Sequence, residues 1–143
     1  MYVLKEFHEE EKFKECLKTH EVLEKIGVSM PKLLAGDPEK LICIEEFVSG
    51  LPASDYIMKE ELSGCYLEQI KSMSELCEEN GIVLNYCPTK YIIHKKELVY
   101  TGCEYENLTA ENTFEKKGLL YWMHASALVA GIVSGREKVT ENE

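Results

Sequence analysis

Six cysteines (Cys16, Cys43, Cys65, Cys77, Cys87, Cys103), four histidines (His8, His20, His94, His124) and Lys5, set between apolar neighbours, are the residues best able to do chemistry in this chain. A thiolate is a nucleophile and a soft metal ligand, but both uses need companions at short range. No two cysteines have CxxC spacing, and no Cys/His grouping matches a zinc pattern. Several cysteines lie inside apolar runs, where a free thiol packs as a small hydrophobe. That is the pattern of reduced thiols in a cytoplasmic protein rather than of a disulfide scaffold. His20 on a helical face and His124 in an apolar run read as packed side chains. Glu45 and Glu46 are neighbours on one strand and point to opposite faces, so they do not form an acid–base pair. No GxxxxGK(S/T), GxGxxG or HExxH motif is present.

The elements that carry these residues follow from periodicity and breakers. Residues 2–7 (YVLKEF) are short and β-prone. Over residues 9–26 the positions Phe13, Cys16, Leu17, Leu23 and Ile26 mark one face of a helix, and Gly27 stops it. Residues 28–34 are extended around Pro31, and Gly36-Asp37-Pro38 reads as a turn. Residues 40–48 (KLICIEEFV) form a strand, broken by Ser49-Gly50-Leu51-Pro52. Residues 60–79 make a second amphipathic helix, closed by Asn80-Gly81. Residues 81–96 read as irregular around Pro88, and residues 98–103 as a strand entered through a Lys95-Lys96 hairpin turn. The apolar run 118–135 reads as a buried helix, short of the ~20 apolar residues that a membrane span needs; residues 136–143 read as a charged tail. Strands and helices in blocks, with little strand–helix–strand alternation, predict an α+β fold.

Composition narrows the function. The chain of 143 residues is 45% apolar and 29% charged, which suits one globular domain. Its net charge of −10 repels a phosphate backbone and argues against nucleic acid as a partner. The first residues have no apolar core of the signal-peptide kind.

Four segments in order carry a family resemblance: Val3-Leu4-Lys5, Phe13-Lys14-Glu15, Gly27-Val28-Ser29-Met30-Pro31, and Glu46-Phe47-Val48-Ser49-Gly50. A fifth is Ile82-Val83-Leu84-Asn85-Tyr86-Cys87-Pro88-Thr89-Lys90-Tyr91-Ile92-Ile93, followed after a hairpin by Val99-Tyr100-Thr101-Gly102-Cys103-Glu104. Together they resemble the protein-kinase-like phosphotransferases, including the aminoglycoside-phosphotransferase and lipopolysaccharide-kinase-like branches. The resemblance implies a minimal kinase-like domain over residues 1–143. Residues 2–48 would be an N-lobe with a small antiparallel sheet and an αC-like helix, residues 49–135 a shortened helical C-lobe, and residues 136–143 a tail. It implies a Lys5–Glu15 pair that would neutralise ATP phosphates, and a hinge at Glu46 and Val48 facing an adenine ring.

The same resemblance implies that phosphate transfer is lost. The catalytic aspartate position falls on Asn85, which cannot take a proton; the histidine before it falls on Val83. The two metal-ligand positions fall on Lys90, a cation, and on Gly102, which has no side-chain oxygen. Phosphoryl transfer depends on positioning and metal electrostatics, so losing all three disables it. The expectation is a pseudokinase-like binding or regulatory module. ATP or ADP is an optional ligand, Mg²⁺ is disfavoured, and a protein partner or a second copy is the expected company. Two alternatives stand beside it. One is an atypical ATP-dependent phosphotransferase in which Lys90 stands in for the metal and Glu104 supplies a carboxylate. The other is an unrelated α+β interaction protein. In the kinase-like register Cys87 and Cys103 also come within reach of each other.

Overall fold

Strand alternation builds the sheet that matters here. The computed structural model describes residues 1–122. In β1 (Tyr2–Glu6) the side chains of Tyr2, Leu4 and Glu6 are exposed, while Val3 and Lys5 turn inward. β2 (Leu33–Asp37) and β3 (Ile42–Glu46) complete an antiparallel sheet of order β1-β3-β2. Its register sets Lys5 opposite Cys43 and Val3 opposite Glu45. With a side-chain period of two, Lys5, Cys43 and Glu45 therefore share the inner face.

That face is covered by α1 (Glu10–Ile26), whose buried residues Phe13, Cys16, Thr19, His20 and Leu23 form one stripe. Glu10 and Glu11 in the first turn and Lys25 in the last suit the helix dipole. Gly27 ends it in the left-handed conformation at φ 99°, donating its N–H to the Leu23 carbonyl.

The remaining elements form a second layer. β4 (Leu51–Pro52) leads into the short α2 (Ala53–Met58), and α3 (Gly64–Glu79) starts at Ser63, whose hydroxyl accepts from the Cys65 N–H. Next come β5 (Ile82–Leu84), a 3-10 turn at Pro88–Lys90, β6 (Tyr91–His94), β7 (Glu97–Tyr100) and β8 (Tyr105–Asn107). β4-β6-β7 and β5-β8 are separate antiparallel sheets. A π-helical turn at Phe114–Gly118 passes into α4 (Leu119–Trp122). Small antiparallel sheets with segregated helices make the fold α+β, as the sequence predicted.

The core of this layer is aromatic, and its polar tips hold the loops. Tyr91 stacks edge-on to Trp122 at 5.3 Å and tilts against Tyr100 at 5.0 Å. Both tyrosines are fully buried. Tyr91 donates its hydroxyl to the Asn85 carbonyl, Tyr100 donates to the Glu104 carbonyl, and Trp122 donates its indole N–H to the Tyr86 carbonyl. A buried hydroxyl left unpaired would cost about 1–3 kcal/mol each, so these bonds fix the 85–88 and 101–104 segments in place.

Several expectations need correction. Gly36 and Asp37 lie in β2 rather than in a turn; the turn follows them, with the Asp37 carboxylate accepting from the Glu39 and Lys40 N–H groups. Residues 81–96 are not irregular, since they hold β5, the 3-10 turn and β6. α3 starts four residues later than the apolar pattern suggested, and α2 and β8 went unread; elements of three to six residues carry too little periodicity to register. Of the apolar run 118–135 only residues 118–122 are described, at the end of the π-helical turn and in α4; His124 and the 136–143 tail lie outside the described residues. Among those described, no helix is long and apolar enough to cross a membrane.

The predicted hairpin turn is present between His94 and Glu97, and both turn residues have positive φ: 49° at Lys95 and 67° at Lys96. Two-residue loops of this kind favour Asn-Gly, because L side chains strain there. The double variant Lys95→Asn/Lys96→Gly is expected to gain about 1 kcal/mol of stability, read as a higher urea midpoint at unchanged slope.

Candidate functional site

The inner face of the first sheet and the buried stripe of α1 meet around one carboxylate. Glu45, 4% exposed, receives the Lys5 ammonium at 3.1 Å on one oxygen and His20 Nε2 at 2.6 Å on the other. A carboxylate only accepts, so His20 carries its proton on Nε2. Lys5 Nζ also lies 3.1 Å from the Cys103 sulfur, which the turn after β7 delivers. Thr19 fastens that turn by donating its hydroxyl to the Cys103 carbonyl at 3.1 Å, a bond it shares with the Glu15 carbonyl at 2.8 Å. Cys16 completes the group, 3.8 Å from Cys43 across the interface and close enough to Cys103 for each sulfur to shift the other's ionisation.

The charges shape one another. Burial alone would raise the Glu45 carboxyl, but the His20 hydrogen bond and the Lys5 charge outweigh it and hold the group below its ordinary range. Burial alone would depress Lys5; the Cys103 thiolate and Glu45 outweigh it and raise Lys5 to about 12. The Cys16 thiol donates to Cys103, burial opposes ionisation, the Lys5 charge favours it, and the net effect lowers Cys103 to about 6. Cys16, the donor in that bond and itself buried, is pushed far up. Burial also raises Cys43.

Cys16, His20 and Glu45 each bring one possible ligand atom within 4.8 Å of the others. The Lys5 ammonium already stands on that carboxylate, so an entering cation would have to displace it. A groove of about 560 Å³ runs along α1 past His20, Glu24, Met30 and Pro31, and another of about 330 Å³ lies between Gly27 and α3. Neither is lined by Lys5, Glu46 or Val48.

The expected Lys5–Glu15 pair is corrected. Glu15 sits beside the buried stripe of α1, with its side chain 42% exposed, and pairs with Lys12 at 3.6 Å. The partner of Lys5 is Glu45, from the strand rather than the helix. Glu46 faces solvent at the end of β3, where its N–H donates to the Lys32 carbonyl and its carboxylate accepts from the Lys32 N–H. Val48 lies in the extended link between β3 and β4. Asn85 uses its side-chain oxygen to accept from the Cys87 N–H. Lys90 closes the 3-10 turn, and its carbonyl accepts from the Thr101 N–H and hydroxyl. Val83 is buried in β5, and Gly102 is buried after β7. The structure places Cys87 on the Thr89 hydroxyl at 3.1 Å and gives Cys103 to Lys5 and Cys16.

Neither a protein-family model nor a curated protein matches the chain. The site therefore rests on its own geometry.

Sequence reasoning gives Glu45 and His20 no role at a site and sets Cys103 beside Cys87. Glu45 and His20 each left a signal. Glu45 has the same strand parity as Cys43, and His20 falls one turn after Cys16 on the apolar face of α1. The contact of Cys103 with Lys5 left none, because it spans 98 residues.

Replacing the central carboxylate by an amide removes its charge and leaves one acceptor for two donors. Glu45→Gln is expected to cost about 3 kcal/mol in urea unfolding. The pH dependence has a definite sign. The folded pKa of Cys103 is depressed, so its contribution is complete above about pH 8.5 and is lost as pH falls through about 6. The groups facing it are Lys5 from β1, Cys16 from α1, and Cys43 and Glu45 from β3. Stability is expected to climb between pH 6 and 8.5 in the native protein, and Cys103→Ser to flatten that climb; an unchanged slope would refute the ionised thiol. Glu45 acts lower, with its contribution lost as pH falls below about 4.3.

Proposed function

We propose that this protein is a kinase-like binding module that does not transfer phosphate. The observation that carries the reading is the space around Gly102, the position that corresponds to a metal-binding aspartate. A Cβ there would stand 2.3 Å from the Tyr100 hydroxyl and 2.4 Å from its ring carbon. Tyr100 cannot swing away cheaply: it is fully buried, donates to the Glu104 carbonyl and accepts from the Asn85 N–H. Under the resemblance, an aspartate at this position would have no room.

Other features support the same reading. Lys5 reaches the residue after Gly102, which sets the strand lysine beside the turn that the resemblance makes a metal position. Asn85 is neutral and engaged in its own loop, so no carboxylate base stands there. Lys90 brings a positive charge to the remaining metal position. What is left is recognition. β1 is an edge strand with Tyr2 and Leu4 exposed, a surface that suits pairing with a protein partner such as a second copy.

Calorimetry with ATP and ADP, with and without Mg²⁺, tests the reading. The metal is expected to leave each nucleotide isotherm unchanged, with no phosphate released. Binding tightened by Mg²⁺ about tenfold or more would overturn it and reopen an active phosphotransferase. Gly102→Asp is expected to lose about 2–3 kcal/mol of stability by overpacking against Tyr100, and to gain no Mg²⁺-dependent ATP binding.

A further inference from the structure

We propose that Cys103 is a peroxide-reactive thiol and that Cys16 resolves its oxidised form, closing a disulfide between α1 and the turn after β7. This goes beyond the kinase-like reading and does not depend on it.

The geometry supplies the parts that such a site needs. Cys103 is partly exposed, so a small hydroperoxide can reach it, whereas Cys16 and Cys43 are fully buried. Lys5 Nζ at 3.1 Å stabilises the thiolate and can neutralise charge on the leaving oxygen. Lys5 is itself anchored by Glu45, which keeps the ammonium in place. The turn is held against α1 by the Thr19 hydroxyl on the Cys103 carbonyl. Cys16 lies one turn before Thr19 on the buried stripe of α1, and the Thr19 hydroxyl holds the Cys103 carbonyl, so a second thiol stands beside the first. A reactive cysteine beside a cation with a partner thiol at hand is the arrangement of a reversible redox site.

The chemistry balances with a hydroperoxide as the only oxidant. The Cys103 thiolate attacks one peroxide oxygen, the O–O bond breaks, and hydroxide leaves; the sulfur is now a sulfenic acid, oxidised by two electrons. The Cys16 sulfur then attacks the Cys103 sulfur, the S–O bond breaks, and the departing hydroxide takes the Cys16 proton as water. One thiol and one thiolate have become a disulfide, and hydrogen peroxide has become water and hydroxide. The disulfide removes the negative partner of Lys5 at the sulfur and leaves the ammonium to Glu45 alone. Thiol reductants reverse the change.

The test uses the whole chain and substoichiometric hydrogen peroxide at pH 6, followed by thiol blocking and peptide mapping without reduction. At that pH, Cys103 is about half ionised and an ordinary thiol well under 1%; the lower nucleophilicity of the acidic thiolate leaves an advantage of about tenfold. Cys65, exposed on α3, is the control for simple access. The expected result is a Cys16–Cys103 linked peptide, with Cys103 consumed about tenfold faster than Cys65. In Cys16→Ser, dimedone is expected to trap a sulfenic acid on Cys103. Cys65 oxidised ahead of Cys103, or a Cys16–Cys43 link in place of Cys16–Cys103, would overturn the proposal. The mapping on the unaltered chain decides it even where the variant folds poorly.

Discussion

A carboxylate in the interior is the constraint around which the first half of this molecule is arranged. An isolated buried carboxylate is costly, and it persists only where donors surround it. Glu45 has its donors from two directions, the imidazole of α1 on one oxygen and the ammonium of β1 on the other. The helix, the edge strand and the central strand are therefore held in one register by a single side chain. A slip of one residue in β3 would turn Glu45 to solvent and bring Glu46 inward, leaving His20 and Lys5 facing a different surface. The exposed ion pairs Lys14–Glu10 and Lys12–Glu15 on α1 carry no comparable constraint, since screening and side-chain entropy leave such pairs near zero.

The second half is organised by aromatic rings whose polar tips reach the backbone. Tyr100 joins the two halves, its backbone N–H donating to the Ser29 carbonyl at 2.9 Å. Its ring packs with Tyr91 inside the core, and its hydroxyl ties the Asn85 loop to Glu104. The same hydroxyl leaves no space at Gly102 for a side chain. One turn is thus pinned from both sides, by Tyr100 from the core and by Thr19 and Lys5 from the first sheet. Such double anchoring is what lets Cys103 hold a fixed position on a segment with little secondary structure of its own.

Long periodic elements were legible in the sequence and long-range pairings were not. The apolar stripe of α1, the glycine that caps it, β3 and the Lys95-Lys96 turn could be read because each signal is local. β8 and α2 could not, because three and six residues do not establish a period. Lys5 stood out as a cation among apolar neighbours, but its partner was misassigned. Helix phase explains the error: Glu15 precedes Cys16 by one residue and so sits about 100° around the axis from it, off the buried stripe. Glu45 and Glu46 point to opposite faces of β3, which rules out an acid–base pair and also requires one of the two to face the core.

The donors of Lys5 carry the argument one step further. An ammonium has three N–H bonds, and two of them are directed to Glu45 and Cys103. A phosphotransferase lysine works differently: its carboxylate partner holds it in place while the rest of the charge meets phosphate. Under the kinase-like reading proposed above, the lysine of this chain has turned from an external anion toward internal ones. Two anions then share one cation, and the N–H of His20 adds a hydrogen bond to the carboxylate. Such a balance is sensitive to the charge on sulfur. Removing that charge by protonation or by oxidation changes what holds Lys5, β1 and the turn together, and it does so without any ligand entering the site.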